Sequence, residues 1–428
     1  VTSGRRWTVA LLTSSGAIQA GTNALAALLA SSLLGPHGRG LMVLGTTMAS
    51  IAALLAGMGT GPALRACLPT ATRVRRRRLL ATFTQWSMLA VVVAAGLAAI
   101  GSVLSARVID PELAEPRFLV AIAVVTVGHV ALVQFPDLWY AAGRFRAGGS
   151  WAAAVAAGGL AGVLGGAVTA RSAWVLLLAQ GVGMLVVAAV QTAHLSVVKL
   201  LAARAGDRTE LSSLLCSGGW ALGLTTGLAV TLAADRYALG AFAGPATVGV
   251  YSVASSLSGM PRLIPTALGQ ILNREVASGG GRGVALRARR LAVWSAIVLG
   301  LGVAAGGWLL IVPVFGAGFA DARPLLLVLL VAEVAFAPFA VASRALLGGG
   351  WMGTAGVLGV GSGVAAAGVF AVGVRLWGAY GAALASVALY GGMSLVSWRL
   401  LRRRLAVAER VADRMATEAA KPTLAVKS

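Results

Sequence analysis

The chain has 428 residues, of which 58% are hydrophobic and only 11% charged, with a mean hydropathy of +0.87; so little polar surface excludes a soluble domain and places the protein in a bilayer. The formal charge of +22 would suggest nucleic acid in a soluble protein, but here the basic residues cluster between apolar runs, where they set topology, and no nucleic-acid partner is expected. Two cysteines, Cys67 and Cys216, lie far apart without a Cys-x-x-Cys or a neighbouring histidine, which implies neither a disulfide framework nor a metal site.

Windows of about 20 apolar residues mark twelve spans, at 7–33, 41–64, 79–105, 118–140, 150–169, 173–198, 212–234, 246–272, 289–313, 324–347, 353–374 and 378–399. The expected fold is therefore all-α and polytopic. At the start, Ser3-Gly4-Arg5-Arg6-Trp7 resembles a twin-arginine export signal, but the apolar run behind it is too long for a signal region and reads as a first spanning helix. Within that span Gln19 and Asn23 are spaced i, i+4 and share a face, suited to lining a hydrophilic cavity or to bonding a neighbouring helix. The first turn is Gly35-Pro36-His37-Gly38-Arg39-Gly40, and the second span ends at Arg65 ahead of the run Arg73-Val74-Arg75-Arg76-Arg77-Arg78.

Spans three and four are joined by the longest loop of their side, with Asp110, Glu112 and Glu115. Span four holds His129 and, near its end, Asp137, within reach of Arg144 or Arg146. After span six the polar stretch around Lys199 to Arg208 divides the chain into a first half, 1–205, and a second, 206–404, followed by a tail, 405–428. Span seven runs out at Asp235-Arg236, and the second half then repeats the opening turn as Gly244-Pro245-Ala246-Thr247-Val248-Gly249. The same offset carries Arg65 onto Arg274. A duplicated helical hairpin at matched spacing is the mark of a transporter built from two pseudo-symmetric six-helix lobes around a central site.

The positive-inside rule orients the chain. With the N-terminus inside, 28 of the 35 basic residues fall in cytoplasmic or near-cytoplasmic positions, and the other seven, Arg39, Arg107, Arg117, Arg171, Arg236, Arg323 and Arg375, fall in outer turns. Both termini are thus expected in the cytoplasm, in a cell inner membrane. Trp139, Tyr140, Trp151, Trp174, Trp351 and Trp398 fall near span ends, where amphipathic rings anchor helices.

Catalytic constellations are missing: the three histidines sit on separate segments, and no carboxylate pair occupies a large outer loop. No enzyme and no cofactor are expected. Ionisable groups inside the membrane are the functional candidates, because an unpaired charge costs several kcal/mol there. Glu333 lies about ten residues into its span, ~15 Å deep at 1.5 Å per residue, and can serve either as an ion-coupling site or in an interhelical ion pair. Asp235 is the second coupling candidate. Arg262, between Pro261 and Pro265, stands beside a helix that the prolines bend, a suitable place for an anionic head group. Arg65 and Arg274 form a basic collar at the inner mouth, where guanidinium is suited to bidentate phosphate contact.

The stretches Asp235 to Gly240, Gly244 to Ala254 and Pro265 to Leu268, with Leu34 to Gly40, Gly57-Met58-Gly59, Arg65 and Gly143-Arg144-Phe145, are similar to the oligosaccharide (O-antigen type) flippases of polysaccharide biosynthesis. That family belongs to the multidrug/oligosaccharidyl-lipid/polysaccharide exporter superfamily. The resemblance implies a MATE-like bundle of six plus six helices working by alternating access. Its implied cargo is a polyprenyl-pyrophosphate-linked oligosaccharide, with Arg65, Arg262 and Arg274 on the diphosphate and Gln19 and Asn23 on sugar. Membrane lipids and other polysaccharide-assembly proteins are the implied partners. Two alternatives stay open at this point: an ion-coupled drug or metabolite antiporter of the same fold using Glu333 and Asp235, and a membrane glycan polymerase or ligase.

Overall fold

The computed structural model describes residues 2–201, 206–277 and 279–419, and among these the side chains of all but 2–17, 20, 23, 274 and 411–419. Among the described residues every regular element is helical: α1 (Thr2–Gly57), α2 (Thr60–Cys67), α3 (Arg73–Ala106), α4 (Pro116–Ala141), α5 (Phe145–Thr169), α6 (Ala173–Val197), α7 (Arg208–Thr231), α8 (Ala234–Ser258), α9 (Leu263–Ala277), α10 (Arg282–Phe315), α11 (Ala322–Gly348) and α12 (Met352–Ala419). Among the described residues nine apolar helical stretches are long enough to cross a membrane. Two of them, and the whole of α1, are long enough to do so twice. The 70-residue stretch 208–277 and the 59-residue stretch 352–410 would each extend roughly 90–105 Å as straight rods, against a hydrocarbon core of ~30 Å. Each is instead folded at a break, as α1 is, and the result is twelve crossing segments.

The breaks in α1 and α8 are the duplicated turn. Gly35 (φ 65°, ψ −176°) precedes Pro36, and Gly244 (φ 80°, ψ 168°) precedes Pro245. Only glycine adopts that backbone readily, while proline fixes the helical φ of the next residue and needs no amide partner there. One helix therefore stops and its return begins with no loop between them. This corrects the expected turns: Arg39, read as a turn residue, is already in the second limb of α1, and Asp235-Arg236, read as a rim, lies in the first turn of α8.

The Gly-Pro breaks and the loop around residues 107–116 mark one face of the bundle, the kink face; the run Arg73 to Arg78 and the turns before α5, α7, α10 and α12 mark the opposite, arginine-rich face. Near the kink face one apolar core is shared by both halves, with Leu44, Phe118 and Leu177 beside Tyr251, Phe319 and Leu325. Toward the arginine-rich face it splits into a core of second-half residues, including Phe339 and Phe370, and one centred on first-half Phe83 and Trp139. The two halves thus share apolar packing at one end and largely separate at the other. The shared end closes on two reciprocal backbone contacts. A Cβ at Gly40 would lie 1.9 Å from the Pro245 carbonyl oxygen, and one at Gly249 would lie 1.9 Å from that of Pro36.

At the separated end one seam remains joined. Gly59 lies backbone to backbone with Gly218 of α7, and Arg75 and Arg78 of α3 reach Glu210 at 3.0 Å and Asp207 at 3.5 Å. Not every aromatic anchor sits at a lipid boundary: Trp139 is fully buried, 4.9 Å from the His194 ring. Helix α12 continues through residue 405, where Leu405 is buried.

Candidate functional site

Beneath the shared core lies a cavity of about 530 Å³ between the halves. The second limb of α1 lines one side with Arg39, Thr46, Thr47 and Ser50, joined by His129 of α4 and Gln180 of α6. The opposite side is the start and end of α8, with Asp235, Arg236 and Ser255, then Arg262, Glu333 of α11 and Tyr390 of α12. Helices α8 and α9 are separated by the 3-10 turn Met260–Arg262. Pro261 and Pro265 sit at that step, since neither can serve an α-helical ladder from the interior, and the step turns Arg262 into the cavity.

Arg262 is not a free cation. Its Nε donates to Glu333 Oε2 at 2.8 Å, and its Nη2 donates to Glu333 Oε1. The guanidinium also lies 4.5 Å from the Phe336 ring centroid and 5.9 Å from that of Tyr390. A bidentate fork of this kind satisfies both charges inside the membrane. Glu333 thus makes the ion pair that the sequence allowed, and it remains on the cavity wall.

Arg39 and Arg236 are different. Arg39 is 8% exposed, and its Nε has no hydrogen-bond partner. It forms no ion pair among the described residues. Arg236 donates weakly to Thr47 Oγ1 at 3.3 Å and to Ser255 Oγ at 3.4 Å, while its Nε is likewise unpartnered. Both residues line the same cavity. Buried arginines usually find a carboxylate, because leaving the charge bare in a low-dielectric site is costly. Asp235, beside them in sequence, is 4% exposed and accepts from the Arg236 backbone amide at 2.8 Å. With Arg262 and Glu333 closed on each other, the cavity keeps two open cations against one carboxylate. His129 donates from Nδ1 to the Val125 carbonyl at 2.9 Å, and the Oε1 of Gln180 is buried without a partner.

The other expected site residues lie elsewhere. Arg65, at the end of α2, pairs with Asp137 at 3.2 Å on the arginine-rich side, which replaces the expected pairing of Asp137 with Arg144 or Arg146. Gln19 is on the first limb of α1 and does not line the cavity. The side chains of Asn23 and Arg274 fall outside the described residues. Sequence reasoning missed Arg39 and Arg236 by counting both as outer-turn residues. A signal was present in the repeat. The position matching Arg39 in the second copy is Val248, and the position matching Arg236 in the first is Ala27, so each arginine breaks the symmetry of a hairpin that otherwise repeats.

The chain superposes on solved transporters over nine-tenths or more of its length. One is a multidrug resistance MATE family transporter of the MOP superfamily in an inward-facing conformation, with a TM-score of 0.71 over 92% of this chain and 96% of that one, at 16% identity. The fold is that of the MATE-like transporters. A second match is the lipid II flippase MurJ in an inward closed conformation, with a TM-score of 0.71, 11% identity and coverage of 90% and 86%. A third is a MOP superfamily transporter from Pyrococcus furiosus, described as having a binding pocket of reversed polarity, with a TM-score of 0.55, 14% identity and coverage of 94% and 95%. No family model matches the sequence. No curated protein matches it either.

Proposed function

We propose that this MATE-like membrane protein is a flippase that moves a polyprenyl-pyrophosphate-linked oligosaccharide across the cytoplasmic membrane for surface polysaccharide assembly. The observation that carries the reading is a pair of arginines in the cavity between the halves, Arg39 and Arg236, neither of which meets a carboxylate among the described residues and each of which keeps an unpartnered Nε. Two guanidinium groups on the wall of one cavity, neither paired with a carboxylate, suit a diphosphate, whose adjacent phosphoryl groups take forked donors. The hydroxyls of Thr46, Ser50 and Ser255 are then available to the first sugars, and the prenyl tail stays in lipid. A transporter of organic cations would need net negative charge in this cavity, and Glu333 is already neutralised by Arg262.

In this scheme the halves, 1–205 and 206–404, rock about the shared apolar end. The arginine-rich face is cytoplasmic, by the positive-inside rule, as are both termini and the tail from 405. Cargo enters from that face, where the cores of the halves are separated, and leaves once the Gly40–Pro245 and Gly249–Pro36 contacts part. Arg65, with Arg274, is assigned to the loading mouth, and Arg262 with Glu333 to holding the bent helix beside the diphosphate.

The test is titration of the purified protein with a short-chain prenyl pyrophosphate. Binding is expected for the wild type, and Arg39→Gln and Arg236→Gln are each expected to weaken it, whereas Arg65→Gln weakens it less. Equal affinity in all four proteins would remove the diphosphate site.

A further inference from the structure

On the far side of α12 from the transport cavity lies a second, larger groove of about 1020 Å³, lined by α7 and by both limbs of α12. Ser386 and Tyr390 face the central cavity, whereas Leu389, Gly392 and Val396 of the same limb face the groove, so the two spaces lie on different faces of one helix. The groove wall runs from Gly353 to Val369 along one limb and from Ala388 to Arg404 along the other, about 24 Å at 1.5 Å per residue. Its outer edge faces lipid, with Trp220, Val357 and Val396 about half exposed or more.

The walls are apolar along this length, and the end at the arginine-rich face is cationic. There Arg404 lines the mouth and donates from Nη2 to Thr354 Oγ1 at 3.1 Å, with Arg402 and Arg403 preceding it. Arg404 has no carboxylate partner among the described residues. A membrane-length apolar slot ending in an anchored guanidinium matches a lipid with hydrocarbon chains and an anionic head, and basic pockets between spanning helices take such heads. We infer that this groove is a binding site for an anionic glycerophospholipid, its acyl chains between α7 and the two limbs of α12 and its phosphate on Arg404.

Tryptophan quenching tests it, because Trp220 and Trp351 line the groove. The full chain is reconstituted in phosphatidylcholine vesicles containing brominated phosphatidylglycerol or, separately, brominated phosphatidylcholine. Quenching by the anionic lipid is expected to saturate at low mole fraction, and this component disappears in the Trp220→Phe, Trp351→Phe double variant. Arg404→Gln raises the half-saturating fraction about fivefold, the factor matching the ~1 kcal/mol that a basic residue contributes near an anionic surface. Gly361→Leu and Gly392→Leu provide an independent check. Both positions line the groove, and a Cβ added at either meets nothing within 4 Å, so the fold tolerates the side chain while the slot is filled. Each is expected to abolish the saturable component with the melting temperature unchanged. Equal quenching by the two lipids, or a saturable component that survives Gly361→Leu, overturns the site; so does selective displacement by a polyprenyl phosphate with no effect of phosphatidylglycerol.

Discussion

Substituting alanine for Gly40 puts a methyl carbon 1.9 Å from the Pro245 carbonyl oxygen, where ordinary contact begins at 3.4 Å. The helix tips must separate by roughly 1.5 Å to admit it. The obstacle is backbone, and Pro245 is fixed by the break at Gly244, so side-chain rotation cannot relieve the clash. Overpacking of this kind costs about 1–3 kcal/mol, and the cost falls on the state in which the kink face is closed. The population with that face open is therefore expected to rise roughly 5- to 150-fold. Gly249→Ala, at the reciprocal contact with Pro36, should act the same way. The shift is read from a single cysteine at Thr46 in the cavity, in a background with Cys67 and Cys216 replaced by serine, labelled by an impermeant maleimide applied from the kink face. Gly302→Ala is the control, since a Cβ there meets nothing within 4 Å. Labelling of Gly40→Ala at the control rate, with equal protein in the membrane, would refute the reasoning.

Three further outcomes are expected. Arg39→Gln and Arg236→Gln should each lower prenyl-pyrophosphate affinity roughly 10- to 150-fold, the range for a charged hydrogen bond of about 1.5–3 kcal/mol. Neither should lower the melting temperature much in detergent, because neither makes an ion pair among the described residues and Arg236 has only two long hydrogen bonds to lose, to Thr47 and Ser255; a large drop in either would identify a structural arginine instead. Glu333→Gln strands Arg262 and should destabilise the protein by about 3–5 kcal/mol, whereas Arg262→Met with Glu333→Leu should recover most of that loss; thermal melts of the two variants beside the wild type decide the point. On the kink face, burial first, and then the Asp110 and Glu115 carboxylates, push the Glu112 carboxyl above its ordinary 4.5. A raised carboxyl favours the folded loop when protonated, so the contribution is complete below pH 4.5 and is lost as pH rises through the raised value. Protection of the 107–116 amides should therefore decline over that window in the wild type and stay flat in Glu112→Gln; identical exchange profiles would contradict it.

Much of the architecture was legible because a bilayer imposes one period and one length on every element. The twelve apolar runs reappear as twelve crossing segments, and the duplicated Gly-Pro turn reappears as the two breaks at Gly35 and Gly244. What the sequence hid was the economy of those turns. A hydropathy window averages across a Gly-Pro break and presents its flanks as loop, so Arg39 and Arg236 looked like turn residues when both already sat on helices facing the cavity. Pairing was hidden for a second reason. Glu333 and Arg262 are 71 residues apart, and Arg65 and Asp137 are 72 apart, so only the packing of the turn before α9 against α11, or of α2 against α4, decides which cation each carboxylate meets. The intramembrane polar residues could be identified from the sequence, but whether each was free or neutralised could not.

The central claim is tested most directly by translocation in a defined bilayer. Proteoliposomes carrying a polyprenyl-pyrophosphate-linked oligosaccharide in one leaflet are assayed for appearance of the glycan in the other, by its accessibility to an impermeant lectin. The account predicts that the wild-type protein transfers the glycan and that the Arg39→Gln, Arg236→Gln double variant, present at the same level and equally stable, does not. Absence of transfer by the wild type, together with ion-driven uptake of a cationic dye by the same vesicles, would contradict it and establish an antiporter instead.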